Sequence, residues 1–297
     1  MVTAVDRGRW TCAINGDSRQ LVTAMRAREL GRTPIVVGDT VALVGDVSGA
    51  RDTMARIVRV EQRSSVLRRT ADDVDQYERV VVANAGQLLI VTSLADPLPR
   101  TGFIDRCLVA CYVGGLDPVL CLTKSDLAAP DELLAHYAEL SVPSIVVSQH
   151  TLLDDLLGWL HGSVSALVGQ SGVGKSTLVN RLVPDADLAT GVVSATGKGR
   201  HTSVGAVALP LSDSGWIVDT PGIRSFGLAH VSADDIVRAF PEFAAAAEEC
   251  PTGCQHLSQS DDPGCALDGF VADSAGLGRL DSLRRLLASH AGIEPAE

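Results

Sequence analysis

The chain has 297 residues, 46% of them hydrophobic, with a mean hydropathy of +0.19 and a formal net charge of −11. These values exclude a disordered or fibrous chain and suit two or three folded domains. No N-terminal stretch joins a basic start, an apolar run and a small-residue cleavage site, and the longest uncharged run, Val80 to Ala95, is broken by Asn84, Gly86 and Gln87, so neither export nor a membrane span is expected. The protein reads as cytoplasmic, and its seven cysteines as reduced thiols or metal ligands rather than disulfides.

Residues 7–66 alternate short β-rich runs (RWTCAIN, RQLVTAMRAR, DTVALVG, ARIVRVEQ) with Gly- and Asp-bearing turns. That spacing predicts a small antiparallel barrel. A five-stranded oligonucleotide-binding barrel fits the length, with a generic barrel as the alternative. Residues 1–70 hold twelve arginines and no lysine against seven Asp and Glu. The front is thus +5 and the rest of the chain −16, an asymmetry suited to one module that touches a phosphate backbone. A polar stretch follows at 68–79. Beyond it, apolar strand-like runs at 88–93, 117–123, 143–148 and 165–169 alternate with helical patterns at 102–113, 130–140, 151–160 and 175–183. This predicts a parallel sheet covered on both faces, joined by strands near 203–210 and 215–219. From about 232 a helix-prone run, a Cys/His-bearing loop and a closing helix at 276–289 are expected.

Residues 169–177, GQSGVGKST, match a phosphate-binding loop in full. Gly169, Gln170, Ser171, Gly172, Val173 and Gly174 would converge their N–H groups on phosphate oxygens, and the loop opens a helix whose positive end favours anions. Lys175 would reach the β- and γ-phosphates, Ser176 would ligate Mg²⁺, and Thr177 completes the motif. Asp219 ends the strand WIVD, where a carboxylate is placed to hold Mg²⁺ through water, and the Gly222 N–H would sense the γ-phosphate. Between them, ATGKGRHTSV (195–204) is a Gly- and base-rich segment in which Thr202, with Ser203 as rival, is the switch hydroxyl for Mg²⁺.

Residues 123–126, TKSD, follow an apolar strand, where a base-reading loop belongs. Asp126 would accept from guanine N1–H and N2–H₂, Lys124 would lay its stem along the base, and Ser148 at the next strand end would buttress it. Thr123 opens the element. In most nucleotide-switch domains the phosphate loop comes first; here it comes second, and moving 80–162 behind residue 230 restores the usual order. The chain is read as permuted.

Together, the barrel, VVAN (81–84), FIDRCLVA (103–110), TKSDL, GQSGVGKSTL, GKGRHTS, DTPGIRSFGL (219–228) and a final Cys/His cluster resemble the circularly permuted GTPases. The closest resemblance is to the ribosome small-subunit-dependent GTPase A (RsgA) family. The resemblance implies an oligonucleotide-binding barrel over 1–70 that contacts ribosomal RNA, a linker at 71–79, a permuted GTPase domain over 80–231 and a zinc-binding module over 232–297. It also implies a monomer whose GTP hydrolysis, stimulated by the small (30S) subunit, acts late in that subunit's maturation. Thr123 replaces the commoner Asn of the family, Gly86 a frequent Asp, and Ser203-Val204 shorten a threonine run. Ile223 stands where Ras-like proteins carry a water-orienting Gln, so slow intrinsic hydrolysis is expected. Lys175, Thr202 and His201 are the catalytic candidates.

Cys250-x₃-Cys254-x-His256-x₈-Cys265 offers three thiolates and an imidazole, the ligand set of a closed structural Zn²⁺ site. Cys107 and Cys111 share the first spacing but lie among apolar residues and read as core, as do Cys12 and Cys121. Two rival functions differ in class: a P-loop kinase or ATPase in which TKSD has no role, and an RNA-binding module that uses GTP as a structural ligand.

Overall fold

In the computed structural model the described residues are 1–70, 77–186, 205–212, 214–220, 227–257, 262–269 and 274–293. The front strands are β1 (Val2–Asp6), β2 (Arg9–Ile14), β3 (Asp17–Arg26), β4 (Val41–Gly45) and β5 (Ala55–Val60). They run β1-β2-β3-β5-β4, antiparallel except for the β3–β5 pair. The Val2 N–H donates to the Asp39 carbonyl (2.8 Å) and the Gly38 N–H to the Val2 carbonyl (2.9 Å), closing the start of β1 against the approach to β4. This is the five-stranded barrel expected of an oligonucleotide-binding fold. Alternate residues Trp10 and Cys12 of β2, Val22 and Ala24 of β3, and Ala55 and Ile57 of β5 point inward, the period of two that strands impose. Asp39 is fully buried and accepts from Arg63 at 2.7 and 2.9 Å and from the Val36 N–H at 2.8 Å.

β6 (Val66–Arg69) and β7 (Arg79–Ala83) form an antiparallel ribbon, so both ends of the polar stretch are strand. The chain then runs β8 (Gln87–Ser93), α1 (Thr101–Gly114), β9 (Asp117–Thr123), α2 (Asp131–Tyr137), β10 (Ser144–Val146), α3 (Asp154–Leu160), β11 (Val164–Val168), α4 (Lys175–Leu182), β12 (Val207–Pro210) and β13 (Trp216–Asp219). Strands β10-β9-β8-β11-β13 are parallel, β12 is antiparallel to β13, and β1 pairs with β12. Nucleotide sheet and barrel therefore form one eleven-stranded sheet. From β8 the chain steps outward to the β10 edge, returns to β11, and then steps the other way. The reversal lies between β8 and β11, and the crevice at the carboxyl ends of strands at such a point is where open α/β sheets bind ligands.

The alternating faces of β8 bury two cores. Leu88 and Ile90 pack with Ile104 and Leu108 of α1; Leu89 and Val91 pack with Leu156 and Leu160 of α3 and with Leu178 and Val179 of α4. The first core continues without a break into the C-terminal helices α5 (Ala233–Arg238), α6 (Pro241–Ala247) and α7 (Ser274–His290). Tyr112 of α1 meets Phe240 edge to face at 5.2 Å. Ser232 caps α5, its hydroxyl accepting from the Asp235 N–H while the Asp235 carboxylate accepts from the Ser232 N–H, a reciprocal arrangement that satisfies two otherwise orphaned donors. The four cysteines read as core are buried, and burial pushes the thiols of Cys12 and Cys121 up to about 11 and about 12. Among the described residues no helix is long and apolar enough to cross a membrane.

Candidate nucleotide and metal sites

β11 delivers the phosphate loop to the switch point, and α4 starts at Lys175. Gly169 is forced by space: a Cβ there would lie 2.7 Å from the Val91 carbonyl oxygen of β8. Gly174 is forced by conformation, at φ +93° immediately before α4, a value side chains rarely adopt. Val173 is buried, Gln170, Lys175 and Ser176 are half-buried, and Ser171, Gly172 and Thr177 are exposed. Register places Leu167 of β11 opposite Asp219 of β13. The Lys175 ammonium donates to the Asp219 carboxylate and lies 3.3 Å from the Thr220 carbonyl. The Thr220 hydroxyl donates to the Leu167 carbonyl. The lysine and the carboxylate expected to share a phosphate and its metal thus meet where the start of α4 faces the end of β13.

TKSD joins the same crevice. Thr123 ends β9, buried, with its hydroxyl 2.5 Å from the Val173 carbonyl and 3.1 Å from that of Thr92. Its single proton serves the nearer, so the threonine ties the base-side loop to the phosphate loop. Lys124 sits at φ +59° and its ammonium donates to the Asp96 carbonyl. The Ser125 N–H reaches the Val147 carbonyl at 3.3 Å, which leaves Asp126 exposed at the turn. Ser148 builds a compact turn: its hydroxyl accepts from the N–H groups of His150 and Thr151, both at 3.1 Å, and its N–H donates to the Thr151 hydroxyl at 2.9 Å.

The nucleotide crevice holds one residue that the sequence reading passed over. Arg181 of α4 donates to the Ser148 carbonyl at 2.8 Å and to the Thr151 carbonyl, so the phosphate-loop helix holds the base-side turn. No local motif signals a contact across 33 residues. His201, Thr202, Ser203, Gly222 and Ile223 lie outside the described residues.

The second site is a cluster in which one ligand atom from each of Cys250, Cys254, His256 and Cys265 lies within 4.8 Å of all the others. The Cys250 and Cys265 sulfurs are 3.9 Å apart, and His256 Nδ1 is 3.9 Å from the Cys265 sulfur. Zn–S bonds of ~2.3 Å in a tetrahedron give an edge of ~3.8 Å, so the donors fit zinc. Buried His256 turns Nδ1 toward the thiols and Nε2 toward Asp234 of α5, 3.2 Å away. A carboxylate on the far nitrogen fixes tautomer and orientation, as is usual for metal-bound histidine. Asp234, sixteen residues before the first cysteine, was not picked out from the sequence. The Ala266 N–H also donates to the Cys250 sulfur at 3.2 Å.

The RsgA GTPase family profile matches residues 60–229. It spans the TKSD element, the phosphate loop and the strand ending at Asp219. The chain belongs to the RsgA GTPase family. It is similar to the "Small ribosomal subunit biogenesis GTPase RsgA" of Gemmatimonas aurantiaca, with 37% identity over 264 residues, covering 86% of this chain and 84% of the relative. The fold is that of the crystal structure of YjeQ from Thermotoga maritima, with a TM-score of 0.69 and 24% identity over 98% of this chain and 97% of the other. It also matches the crystal structure of YloQ, described as a circularly permuted GTPase, with a TM-score of 0.65 and 20% identity over 100% and 96%. An N-terminal barrel, a permuted RsgA GTPase domain and a small helical domain with a Cys₃His cluster compose this chain.

Proposed function

We propose that the protein hydrolyses GTP to GDP and phosphate when stimulated by the small ribosomal subunit, and that it acts late in the maturation of that subunit. The observation that carries the reading is the bond from Thr123 to the Val173 carbonyl. It fastens a guanine-reading sequence to a phosphate loop at the switch point, which a decorative TKSD in a kinase or ATPase would have no reason to do. Asp126 reads the base, Lys124 covers it and Ser148 supports its far side. The backbone from Gly169 to Thr177 cradles the phosphates, and Lys175 leaves Asp219 for the β- and γ-phosphate oxygens.

Mg²⁺ bound with GTP would supply charge neutralisation, and Ser176, Thr202 and Asp219 would hold it. Gly222 senses the γ-phosphate. Ile223 cannot orient a water, so His201 or a group brought by the subunit completes the site. The domains divide at 1–70, 71–79, 80–231 and 232–297, with Zn²⁺ held by Cys250, Cys254, His256 and Cys265. The protein works as a cytoplasmic monomer whose barrel meets ribosomal RNA.

A multiple-turnover phosphate-release assay titrated with purified small subunits tests this. Slow turnover alone and a rise with added subunits are expected, with GTP far preferred over ATP. Asp126→Asn should lose GTP and gain xanthosine triphosphate, because a site specified by paired hydrogen bonds discriminates steeply. Equal use of ATP and GTP by the unaltered protein would favour the kinase class instead, and absence of turnover at any subunit concentration would favour the structural-ligand reading.

A further inference from the structure

The seam between barrel and nucleotide sheet holds a cavity of about 340 Å³ with an unusual charge arrangement. Its walls come from the barrel (Ile35, Val37), from β7 (Val80, Val81), and from Gly205, Ala206 and Thr220. Two arginines complete it, Arg69 of β6 and Arg79 of β7, and they are directly opposed in the ribbon register. Like charges facing each other across two strands are destabilising. The neighbouring position is solved differently, for Arg68 is ion-paired with Glu78. Among the described residues the side chains of Arg69 and Arg79 have no hydrogen bond or ion pair, and no carboxylate lines the cavity. Arg69 is half-buried, and burial followed by the charge of Arg79 pulls its pKa down. The one polar neighbour, the Thr220 hydroxyl, is committed to the Leu167 carbonyl.

We propose that Arg69 and Arg79 form a phosphate-binding site at this seam, taking a phosphodiester of bound RNA or, by the same chemistry, a free phosphate group. Two guanidinium forks side by side present several parallel N–H donors, the arrangement that matches a tetrahedral oxyanion. An anion between them converts a repulsive pair into two attractive ones. The position gives the site a second property. Gly205 and Ala206 directly follow the segment expected to hold the switch hydroxyl, and Thr220 directly follows Asp219. Whatever occupies the seam therefore touches the chain at both exits from the nucleotide crevice. The RNA form of the proposal rests on the reading that this protein binds RNA through its front half.

The test uses the full chain with the phosphate loop saturated by GDP. Binding of a fluorescent single-stranded RNA is measured across a salt series, and thermal shift is measured with inorganic pyrophosphate. Arg69→Gln and Arg79→Gln are each expected to weaken RNA binding about tenfold at fixed salt and to reduce the salt slope by roughly one unit. Arg69→Lys and Arg79→Lys should keep the slope while losing part of the affinity. Pyrophosphate should stabilise the unaltered protein and not the double Gln variant. If pyrophosphate stabilises through these arginines and RNA does not bind, the site stands as one for free phosphate, and the RNA reading of the barrel fails separately. If the double variant binds RNA with an unchanged slope and pyrophosphate acts on it as on the unaltered protein, the site is refuted while RNA contact elsewhere survives. A fall in melting temperature with both ligands bound normally would give the arginines a structural role only, and would equally overturn the proposal.

Discussion

Thr123 shows how much one hydroxyl can carry. Its proton is the link between base-reading and phosphate-binding loops, 50 residues apart. Thr123→Val keeps the shape and removes the donor, leaving a buried carbonyl short of a partner at a cost of ~1–3 kcal/mol. GTP affinity, read by titration with a fluorescent GTP analogue, should fall about tenfold, and Thr123→Asn should restore most of it. A second residue acts on stability. Asp105 of α1 is buried beneath the Tyr137 hydroxyl, which donates to it at 2.9 Å. Burial raises its pKa from 3.8 to about 6, against the opposing effects of Tyr137 and the Arg285 charge. The folded carboxyl holds its proton more tightly than the unfolded one. Its contribution is fully present below the unfolded value of 3.8 and is lost as pH rises through about 6. Asp105→Asn keeps the acceptor and cannot ionise. The variant should gain up to ~2–3 kcal/mol on the unaltered protein between acid and neutral pH, measured as the difference of two chemical denaturation curves at each pH.

Among the elements, those with a complete local signal were legible in the sequence and those built by long-range contact were not. The phosphate loop, TKSD and the strand ending at Asp219 announce themselves because each backbone group they use lies within a few residues of the next. The ribbon of β6 and β7 was hidden, since its strands flank a polar run whose composition reads as linker. Arg181 and Asp234 were invisible for a related reason: a charged residue on a helix face has no period or spacing that names its partner. Asp234 changes what the Cys₃His cluster is expected to do. It belongs to α5, whose residues Ile236 and Val237 lie in the core shared with α1, so the metal loop is fastened to the nucleotide domain through a helix. Cys254→Ala with His256→Ala should therefore lower the melting temperature of the nucleotide domain as well as release zinc, because structural zinc sites supply folding energy directly. Asp234→Asn should weaken zinc roughly 10–100-fold with the fold retained, read by competition with a chromophoric chelator. If the double variant keeps full thermal stability and full stimulation by subunits, the loop is a peripheral cap.

At the scale of the whole molecule, the charge asymmetry is the property that sequence reveals most directly and structure refines. Exposed Arg19 and Arg59 of the barrel are tied to Asp17 and Glu61, whereas exposed Arg28, Arg32 and Arg56 have no ion pair among the described residues. Changing these three to Gln should lower the salt slope of subunit binding by roughly one unit each without altering GTP affinity. An unchanged slope would move the contact away from the barrel.

Point changes are preferable to removing the barrel, and the reason lies in the single sheet that runs through both halves. β12 is the last strand of the nucleotide sheet, and β1 is what covers its outer side. A chain beginning at residue 71 would also strip β7 of its partner. Both exposed strands would then offer unpaired N–H and C=O groups to any other chain, the template from which edge-to-edge aggregation starts. The barrel thus covers the sheet edge of the domain behind it. The same domain started at residue 71 should express as inclusion bodies and soluble oligomers.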